Sequence, residues 1–292
     1  MVLFVNGLPL VTMELKDQFT GQNVEDAIKQ YKADRDPQEK IFQRAIVHFA
    51  IDLKQVFMTT KLEGEGTFFI PFNQGTNGAG KVGGAGNPDS TSYLLEKVLR
   101  KDILLEILQK YLLFDEEKNK VTLPRYRQLG VVTKILHVKE NSTGHDYLIQ
   151  HSAGNGKSNS IAWLAHQLSG LHDADNEIIF NSVIVVTDRK ILDSQLQKAV
   201  QQFERVAGVV EKIDKNSAQL RDAINSGKKI IITTLQKFPV IFKEIKSDNK
   251  KFAVIVDEAH FSQTGESAQK LKISLTDTAA RLEEFAKKTL LA

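Results

Sequence analysis

Apolar runs of strand length, alternating with helical patterns, are the feature that most restricts how this chain folds. Such runs occupy residues 182–186, 229–233 and 252–256, and a shorter one occupies residues 147–149. The segments between them, such as residues 158–168, space their apolar side chains as helices do. Near-continuous apolar strands that alternate with helices are typical of a parallel sheet with helices on both faces. The sequence therefore predicts an α/β fold here.

The first residues predict a β-hairpin and a helix. Asn6-Gly7, a pair suited to a tight turn with positive φ, separates two strand patterns at residues 2–5 and 10–16. Asn23 can cap a helix that Pro37 ends or interrupts.

The middle of the chain changes in composition. Residues 64–88 are rich in Gly and Asn and predict a long exposed loop, and residues 92–113 have the apolar spacing of a helix. The charged residues 115–120 predict a linker. We therefore expect one domain at residues 1–115 and a second at residues 116–292.

Bulk properties exclude several classes of protein. The chain has 292 residues with 39 basic and 36 acidic side chains, so its net charge of +3 leaves DNA contacts to local basic patches. Cys is absent, which excludes disulfides and thiolate metal sites. No apolar run approaches a membrane span of about 18 residues, and no signal peptide is evident. We expect a cytoplasmic protein without membrane contact.

A glycine-rich turn follows the predicted strand at residues 147–149. Its glycines allow backbone N–H groups to point at an anion, Lys157 can reach the β- and γ-phosphates of a nucleotide, and Ser158 can bind Mg²⁺. His151 occupies the first Gly position of the usual G-x-x-x-x-G-K-[ST] pattern. The alternative is a chance turn. The predicted nucleotide-binding residues of this segment are Gly154, Asn155, Gly156, Lys157, Ser158 and Asn159.

Two adjacent acids follow the apolar run at residues 252–256. Asp257 at a strand end can hold the metal with its water shell, and Glu258 can orient and deprotonate an attacking water. Alternatively, the acids begin a helix and interact with its dipole. The role of His260 stays open. Beside a phosphate loop, this pair predicts a site that hydrolyses a nucleotide with Mg²⁺.

The two motifs resemble motifs I and II of superfamily-2 helicases and translocases. Longer stretches around them are similar to the motor (restriction, or R) subunit of type I restriction enzymes. The stretches that carry this resemblance are residues 150–166, 183–189 and 260–267, with residues 86–88 and the helical pattern at 93–111. The resemblance extends over the whole chain.

The resemblance implies an architecture and further site residues. Residues 116–292 would be the first RecA-like lobe, incomplete at its end, preceded by the C-terminal part of a PD-(D/E)xK nuclease domain with a helical extension. Gln128 with Arg125 matches an adenine-sensing motif, although both also suit a polar helix start. The residues that match DNA-backbone motifs are Thr187, Arg189, Thr233, Thr234 and Lys237, of which Arg189 and Lys237 are equally well explained as solvated surface cations.

The same resemblance suggests a nuclease site on the hairpin. Glu14 and Lys16 share one face of the predicted strand, and the family's nuclease carries a metal-binding Glu-x-Lys on such a hairpin. Taken alone, the tripeptide is common on solvated strands. The family's Gln-x-x-x-Tyr motif is incomplete, because Tyr31 matches but Ala27 stands in the Gln position. The first Asp of the nuclease pattern is absent too, so we expect little or no DNA cleavage by these residues alone.

The leading hypothesis is therefore part of an R subunit that couples ATP hydrolysis to translocation and cleavage of double-stranded DNA, with modification and specificity subunits as partners. The chain alone would bind ATP and DNA but be incomplete for both activities. One alternative is a catalytically silent nucleotide- or DNA-binding module that docks onto partner subunits. Another is a different superfamily-2 helicase fused to an unrelated hairpin domain.

Overall fold

The computed structural model describes residues 1–73, 91–115, 119–136, 147–150, 156–187, 194–204, 207–238 and 250–258. The chain folds into two compact units, Met1–Val131 and Val132–Ala292. This division lies C-terminal to the predicted boundary after residue 115. The predicted linker is flanked by two paired strands in the first unit, which keeps residues on both sides of it in one body.

A five-stranded mixed sheet forms the centre of the first unit. Its spatial order follows the sequence, and only β2 and β3 run parallel, while the other neighbours are antiparallel. The strands are β1 (Val2–Val5), β2 (Leu8–Leu15), β3 (Val47–Ile51), β4 (Val56–Thr59) and β5 (Ile70–Pro71).

The predicted hairpin and first helix are confirmed. Asn6 and Gly7 have φ of 49° and 79°, the left-handed conformation that a two-residue turn between β1 and β2 requires. Asn23 caps α1 (Val24–Lys29) through a capping box with Asp26. A π-helical segment (Gln30–Asp34) follows directly, and α2 (Lys40–Arg44) begins after Pro37.

The predicted loop at residues 64–88 is partly wrong. β5 lies within it and pairs with β4, because Phe69 and Phe72 are buried and fix this segment against the sheet. The glycine-rich composition of residues 64–88 does not reveal that Phe69 and Phe72 pack their side chains in the interior. Residues 74–90 lie outside the described residues.

The predicted helix at residues 92–113 is interrupted. A second π-helical segment (Leu94–Val98) ends at Leu99, Arg100 is extended with ψ of 143°, and α3 (Lys101–Lys110) begins after it. Leu113 belongs to a strand instead. The hairpin of β6 (Leu113–Asp115) and β7 (Lys120–Thr122) then leads to α4 (Tyr126–Leu136).

A four-stranded parallel sheet forms the second unit, as predicted. Its order is β11-β8-β10-β9. The strands are β8 (Ser182–Thr187), β9 (Val210–Lys212), β10 (Ile230–Thr234) and β11 (Phe252–Val256), and the helices are α5 (Lys157–Ser169), α6 (Ser194–Gln202) and α7 (Ser217–Asn225).

Both faces of the central strands β8 and β10 are buried. Ile184 and Val186 of β8 pack on one face against residues of α7, and Val183 and Val185 on the opposite face are equally inaccessible. Helix α5 packs against β8, β10 and β11. Strands buried on both faces explain the near-continuous apolar runs.

One predicted strand is wrong in the described residues. Residues 147–150 have no regular structure, and Leu148 is 80% exposed. Three apolar residues are fewer than the four to eight that distinguish a strand by sequence. The predicted helical tail at residues 274–292 lies outside the described residues. None of the helices in the described parts has the length and hydrophobicity needed to cross a membrane.

Candidate functional site

The predicted phosphate-binding lysine lies at the first position of α5. Gly156 caps this helix with φ of 70°, a left-handed conformation that favours glycine. Lys157 therefore emerges where the free N–H groups of the first helical turn point away from the helix. Gly154 and Asn155 lie outside the described residues, so the loop before Gly156 stays a prediction.

The two predicted acids converge on Lys157. The backbone N–H of Asp257 donates to the carbonyl of Val186 at 2.8 Å, which extends the β11–β8 ladder to the acid. The Nζ of Lys157 lies 2.9 Å from Oδ1 of Asp257 and donates a hydrogen bond to Oε1 of Glu258. Glu258 has φ of 56°, a conformation uncommon outside glycine, at the point where its carboxylate turns towards the lysine.

The electrostatics of this cluster keep the lysine charged. Partial burial acts to lower the pKa of the Lys157 ammonium, but hydrogen bonds and charges from Asp257 and Glu258 outweigh it and raise that pKa. The Asp257 side chain is 10% exposed, whereas those of Lys157 and Glu258 are more than a third exposed. A buried acid is thus held beside an ammonium that solvent can still reach.

The residues of this cluster fit the Mg²⁺ that accompanies a nucleotide. Such ions are commonly bound by one or two carboxylates and by phosphate oxygens, with waters completing the shell. Asp257 supplies a buried carboxylate beside the ammonium that is predicted to bind phosphate, and Ser158 and Asn159 follow Lys157 in the first turn of α5. Binding of metal and nucleotide by these side chains stays a prediction.

The predicted DNA-contacting hydroxyls are not at the surface. Thr187 is 2%, Thr233 0% and Thr234 3% exposed, because the ends of β8 and β10 are covered. Lys237 donates to the carbonyl of Ile213 at 2.5 Å. Partial burial lowers the pKa of Lys237, and the negative charge of Asp214 offsets only part of that shift. Direct contact of the three hydroxyls with DNA is therefore unsupported.

The structure describes Gln128 but not Arg189. Arg189 lies outside the described residues. Gln128 is buried in the first turn of α4, and its Oε1 accepts a hydrogen bond from the backbone N–H of Arg125 at 2.8 Å. This is half of a capping box. The hydrogen bond supports the alternative of a polar helix start, and adenine sensing stays a prediction.

Of the predicted nuclease residues, Glu14 lies on β2 and Lys16 follows its last residue, and each already has a protein partner. Glu14 Oε1 contacts Nε and Nη2 of Arg35, both at 2.7 Å. Lys16 Nζ donates to Oε1 of Gln30 at 2.7 Å. Arg35 and Gln30 were missed by sequence reasoning, since the spacing of a π turn leaves no periodic signal.

The described residues around Glu14 do not by themselves form a metal site. Residues 1–13 contain no Asp or Glu, so β1 brings no second carboxylate to Glu14. Within the described ranges, no group of three or more His, Cys, Asp or Glu side chains could hold a metal. The guanidinium of Arg35 neutralises the one carboxylate that is present.

Comparison with protein families assigns both parts of the chain. Residues 127–281, more than half of the chain, match the SWI2/SNF2 ATPase family. Residues 1–67 match the N terminus of the type I restriction enzyme R protein. The first match contains Lys157, Asp257 and Glu258, and the second contains Glu14 and Lys16.

Curated relatives agree with these matches. A putative type I restriction enzyme MjaIXP endonuclease subunit from Methanocaldococcus jannaschii is 25% identical over 96% of this chain and 28% of its own length. The type I restriction enzyme HindI endonuclease subunit from Haemophilus influenzae is 26% identical over 90% of this chain and 26% of its own.

A third relative, the SsaAORF53P endonuclease subunit from Staphylococcus saprophyticus, is 25% identical over 90% of this chain and 27% of its own length. The chain thus spans about a quarter of the length of the curated relatives that it matches. By these matches, the chain belongs to the SWI2/SNF2 ATPase family and is a member of the R-subunit family of type I restriction enzymes.

Proposed function

We propose that this chain provides ATP-binding and DNA-binding parts of a type I restriction R subunit. In the complete complex it would couple ATP hydrolysis to translocation of double-stranded DNA, with modification and specificity subunits as cytoplasmic partners. The observation that carries this proposal is the convergence of Lys157, Asp257 and Glu258 at the edge of a parallel sheet. Ligands of α/β sheets bind at this edge, outside the carboxyl ends of the strands.

The three side chains divide the chemistry. Lys157 exchanges its carboxylate partners for the β- and γ-phosphates of a nucleotide and stabilises negative charge there. Glu258, released from Lys157, accepts the proton of the attacking water. Asp257 and Ser158 would hold Mg²⁺. That ion, when bound, supplies positive charge to the phosphate oxygens.

DNA binding at the ends of β8 and β10 would use other groups than the predicted hydroxyls. Since the hydroxyls of Thr187, Thr233 and Thr234 are buried, DNA would be bound there by backbone N–H groups and by Arg189. Lys237 would have to leave the carbonyl of Ile213 first.

A second function is favoured for the first unit. The relatives are named endonuclease subunits, and residues 1–67 match the N terminus of the R protein. However, the pairing of Glu14 with Arg35 supports a unit that binds DNA without cutting it. The alternative of a catalytically silent binding module thus applies to the first unit alone.

DNA-stimulated ATP hydrolysis by the whole chain tests the motor proposal. We expect weak turnover that Lys157→Ala abolishes, whereas Lys228→Ala, a change of a half-exposed lysine paired with Glu211, leaves it unchanged. Binding is measured separately through the fluorescence of Trp163, the single tryptophan of the chain, which lies in α5. Nucleotide binding without turnover would support the alternative of a catalytically silent module. Absence of nucleotide binding, or turnover that survives Lys157→Ala, would overturn the proposal.

A further inference from the structure

The π-helical segment Gln30–Asp34 places residues on one side of a helix that an α-helix would separate. The backbone N–H of Arg35 donates to the carbonyl of Gln30 at 3.1 Å, a bond that spans five residues. In an α-helix of 3.6 residues per turn, these two residues would be rotated by about 140° from each other. The wider turn instead brings Arg35 close to the direction of Gln30, and such π turns are frequent at functional sites.

Side chains of this segment and of Arg35 pair with successive polar side chains along one side of β2. Side chains at alternate positions of a strand share a face. Thr12 and Glu14 of β2, and Lys16 directly after β2, each contact a side chain from the helical segment or from Arg35 directly after it at 2.7 Å. The pairs are Tyr31 with Thr12, Gln30 with Lys16, and Arg35 with Glu14.

The pairs of Lys16 with Gln30 and of Glu14 with Arg35 form a cluster with an excess of positive charge. Glu14 contributes one negative charge, and Arg35 and Lys16 contribute two positive charges. Glu14 engages two nitrogens of a guanidinium that has five N–H donors, and Gln30 engages one donor of an ammonium that has three. The Arg35 side chain is 37% exposed. Donors therefore remain for an anion, and solvent reaches them.

We propose that Arg35 and Lys16 form a phosphate-binding site that holds the DNA backbone without a metal ion. The inference rests on the proposed function, which supplies double-stranded DNA as the ligand. Glu14 and Gln30 act as positioning residues, because they orient the two cations on one face of β2. Arginine and lysine contacts to phosphates carry no sequence information, so the site binds DNA of any sequence.

The role of Glu14 separates this site from a metal-dependent one. A carboxylate that binds a metal attracts DNA through that metal, and its loss weakens binding when Mg²⁺ is present. A carboxylate that only orients Arg35 repels phosphate by its charge, so Glu14→Gln, which keeps a hydrogen-bond acceptor for Arg35, strengthens binding. The sign of this one change distinguishes the two sites.

Fluorescence anisotropy of a labelled duplex with the whole chain, in EDTA and again with Mg²⁺, tests the proposal. We expect Arg35→Ala and Lys16→Ala each to weaken binding by about tenfold, and Glu14→Gln to strengthen it. The slope of log affinity against log salt concentration should become shallower by about 0.9 for each phosphate that the protein no longer neutralises. Arg100→Ala removes an exposed arginine that is likewise paired with an acid, Asp102, and should change neither quantity.

The remaining outcomes are decisive. Wild-type affinity in Arg35→Ala with an unchanged salt slope would overturn the proposal, and so would weaker binding by Glu14→Gln in Mg²⁺. Circular dichroism shows whether the variants are folded. Competition by inorganic phosphate as strong as by unlabelled duplex would show a free-phosphate site instead. ATP turnover is measured in parallel. Absence of turnover would favour a silent nucleotide-binding module over a motor, and the anisotropy differences would still decide whether Arg35 and Lys16 bind phosphate.

Discussion

The ammonium of Lys157 lies 2.9 Å from Oδ1 of Asp257, and this ion pair joins the first turn of α5 to the end of β11. Glu258 binds the same ammonium from the next position along the chain. One cation thus separates two adjacent carboxylates, one of which is buried. Before a nucleotide can use Lys157, it must replace these carboxylates with its own phosphate oxygens.

Removal of the Lys157 cation should destabilise the nucleotide-free second unit. Lys157→Ala leaves the buried Asp257 carboxylate without its counter-charge, and we expect a loss of about 1 kcal/mol in the free energy of unfolding after allowance for solvent screening. Urea unfolding followed by Trp163 fluorescence measures it. Asp257→Asn should restore part of the loss in the double variant. Additive effects of the two changes would show that the pair contributes nothing.

Glu258→Gln should separate nucleotide binding from hydrolysis. The amide cannot accept the proton of water, so we expect turnover to fall on the order of 100-fold or more. Nucleotide affinity should be retained or increased, because a negative charge near the phosphates is removed. Isothermal titration and phosphate release measure the two quantities. Glu211→Gln, which changes an acid in β9, serves as the control, and turnover within tenfold of wild type in Glu258→Gln would contradict the assignment.

The convergence of Lys157 with the two acids could be predicted from the sequence because these residues carry local signals. Lys157 stands in a glycine-rich turn before a helix, and Asp257 follows a buried strand, so a parallel sheet brings both to the same edge. No local sequence pattern shows whether a residue at the end of a strand is exposed to solvent. Thr233 is fully buried because neighbouring elements cover it, and those neighbours are distant in sequence.

The nuclease-like face shows the same limit. The alternation of β2 predicts that Glu14 and Lys16 share a face, which the structure confirms. Their partners Gln30 and Arg35 depend on a π turn, and no helical periodicity marks where one extra residue enters a turn. The short strand β9 was missed for a related reason, since three residues give too little pattern.

Acidification should destabilise the first unit through His48. Burial lowers the pKa of His48 to about 4, whereas the unfolded chain has a pKa near 6.5. The unfolded state therefore binds more protons between these values, so stability is complete above pH about 6.5 and declines by about 3 kcal/mol as pH falls to 4. Hydrogen exchange of peptides spanning β2 to β4 measures this dependence.

His48→Asn tests the origin of that pH dependence. Asn keeps a polar group near Nδ1, which lies 2.7 Å from Oγ1 of Thr12, but it does not titrate. We expect a smaller decline between pH 6.5 and 4 in this variant. His172→Asn, a change in the second unit, should leave the decline intact. An equal decline in wild type and His48→Asn would assign the effect to other groups.

The central strand β8 should dominate the stability of the second unit. Ile184 is fully buried between β11 and β10, so Ile184→Ala should cost about 2–5 kcal/mol of unfolding free energy. Val254 lies on β11 opposite Ile184 but is 39% exposed, so Val254→Ala should cost less than about 1 kcal/mol. Urea unfolding by Trp163 fluorescence compares them. Equal losses would contradict the burial of β8.

Plasmid nicking with Mg²⁺ should be weak or absent for this chain. Glu14 is neutralised by Arg35, and residues 1–13 provide no second acid to complete a metal site. We therefore expect supercoiled plasmid to be nicked no faster by the wild type than by Glu14→Ala, with reactions in EDTA as the baseline. DNA binding measured on the same samples shows whether the plasmid is engaged. Robust cleavage that Glu14→Ala abolishes would show that a metal displaces Arg35 and that one carboxylate is sufficient to hold it.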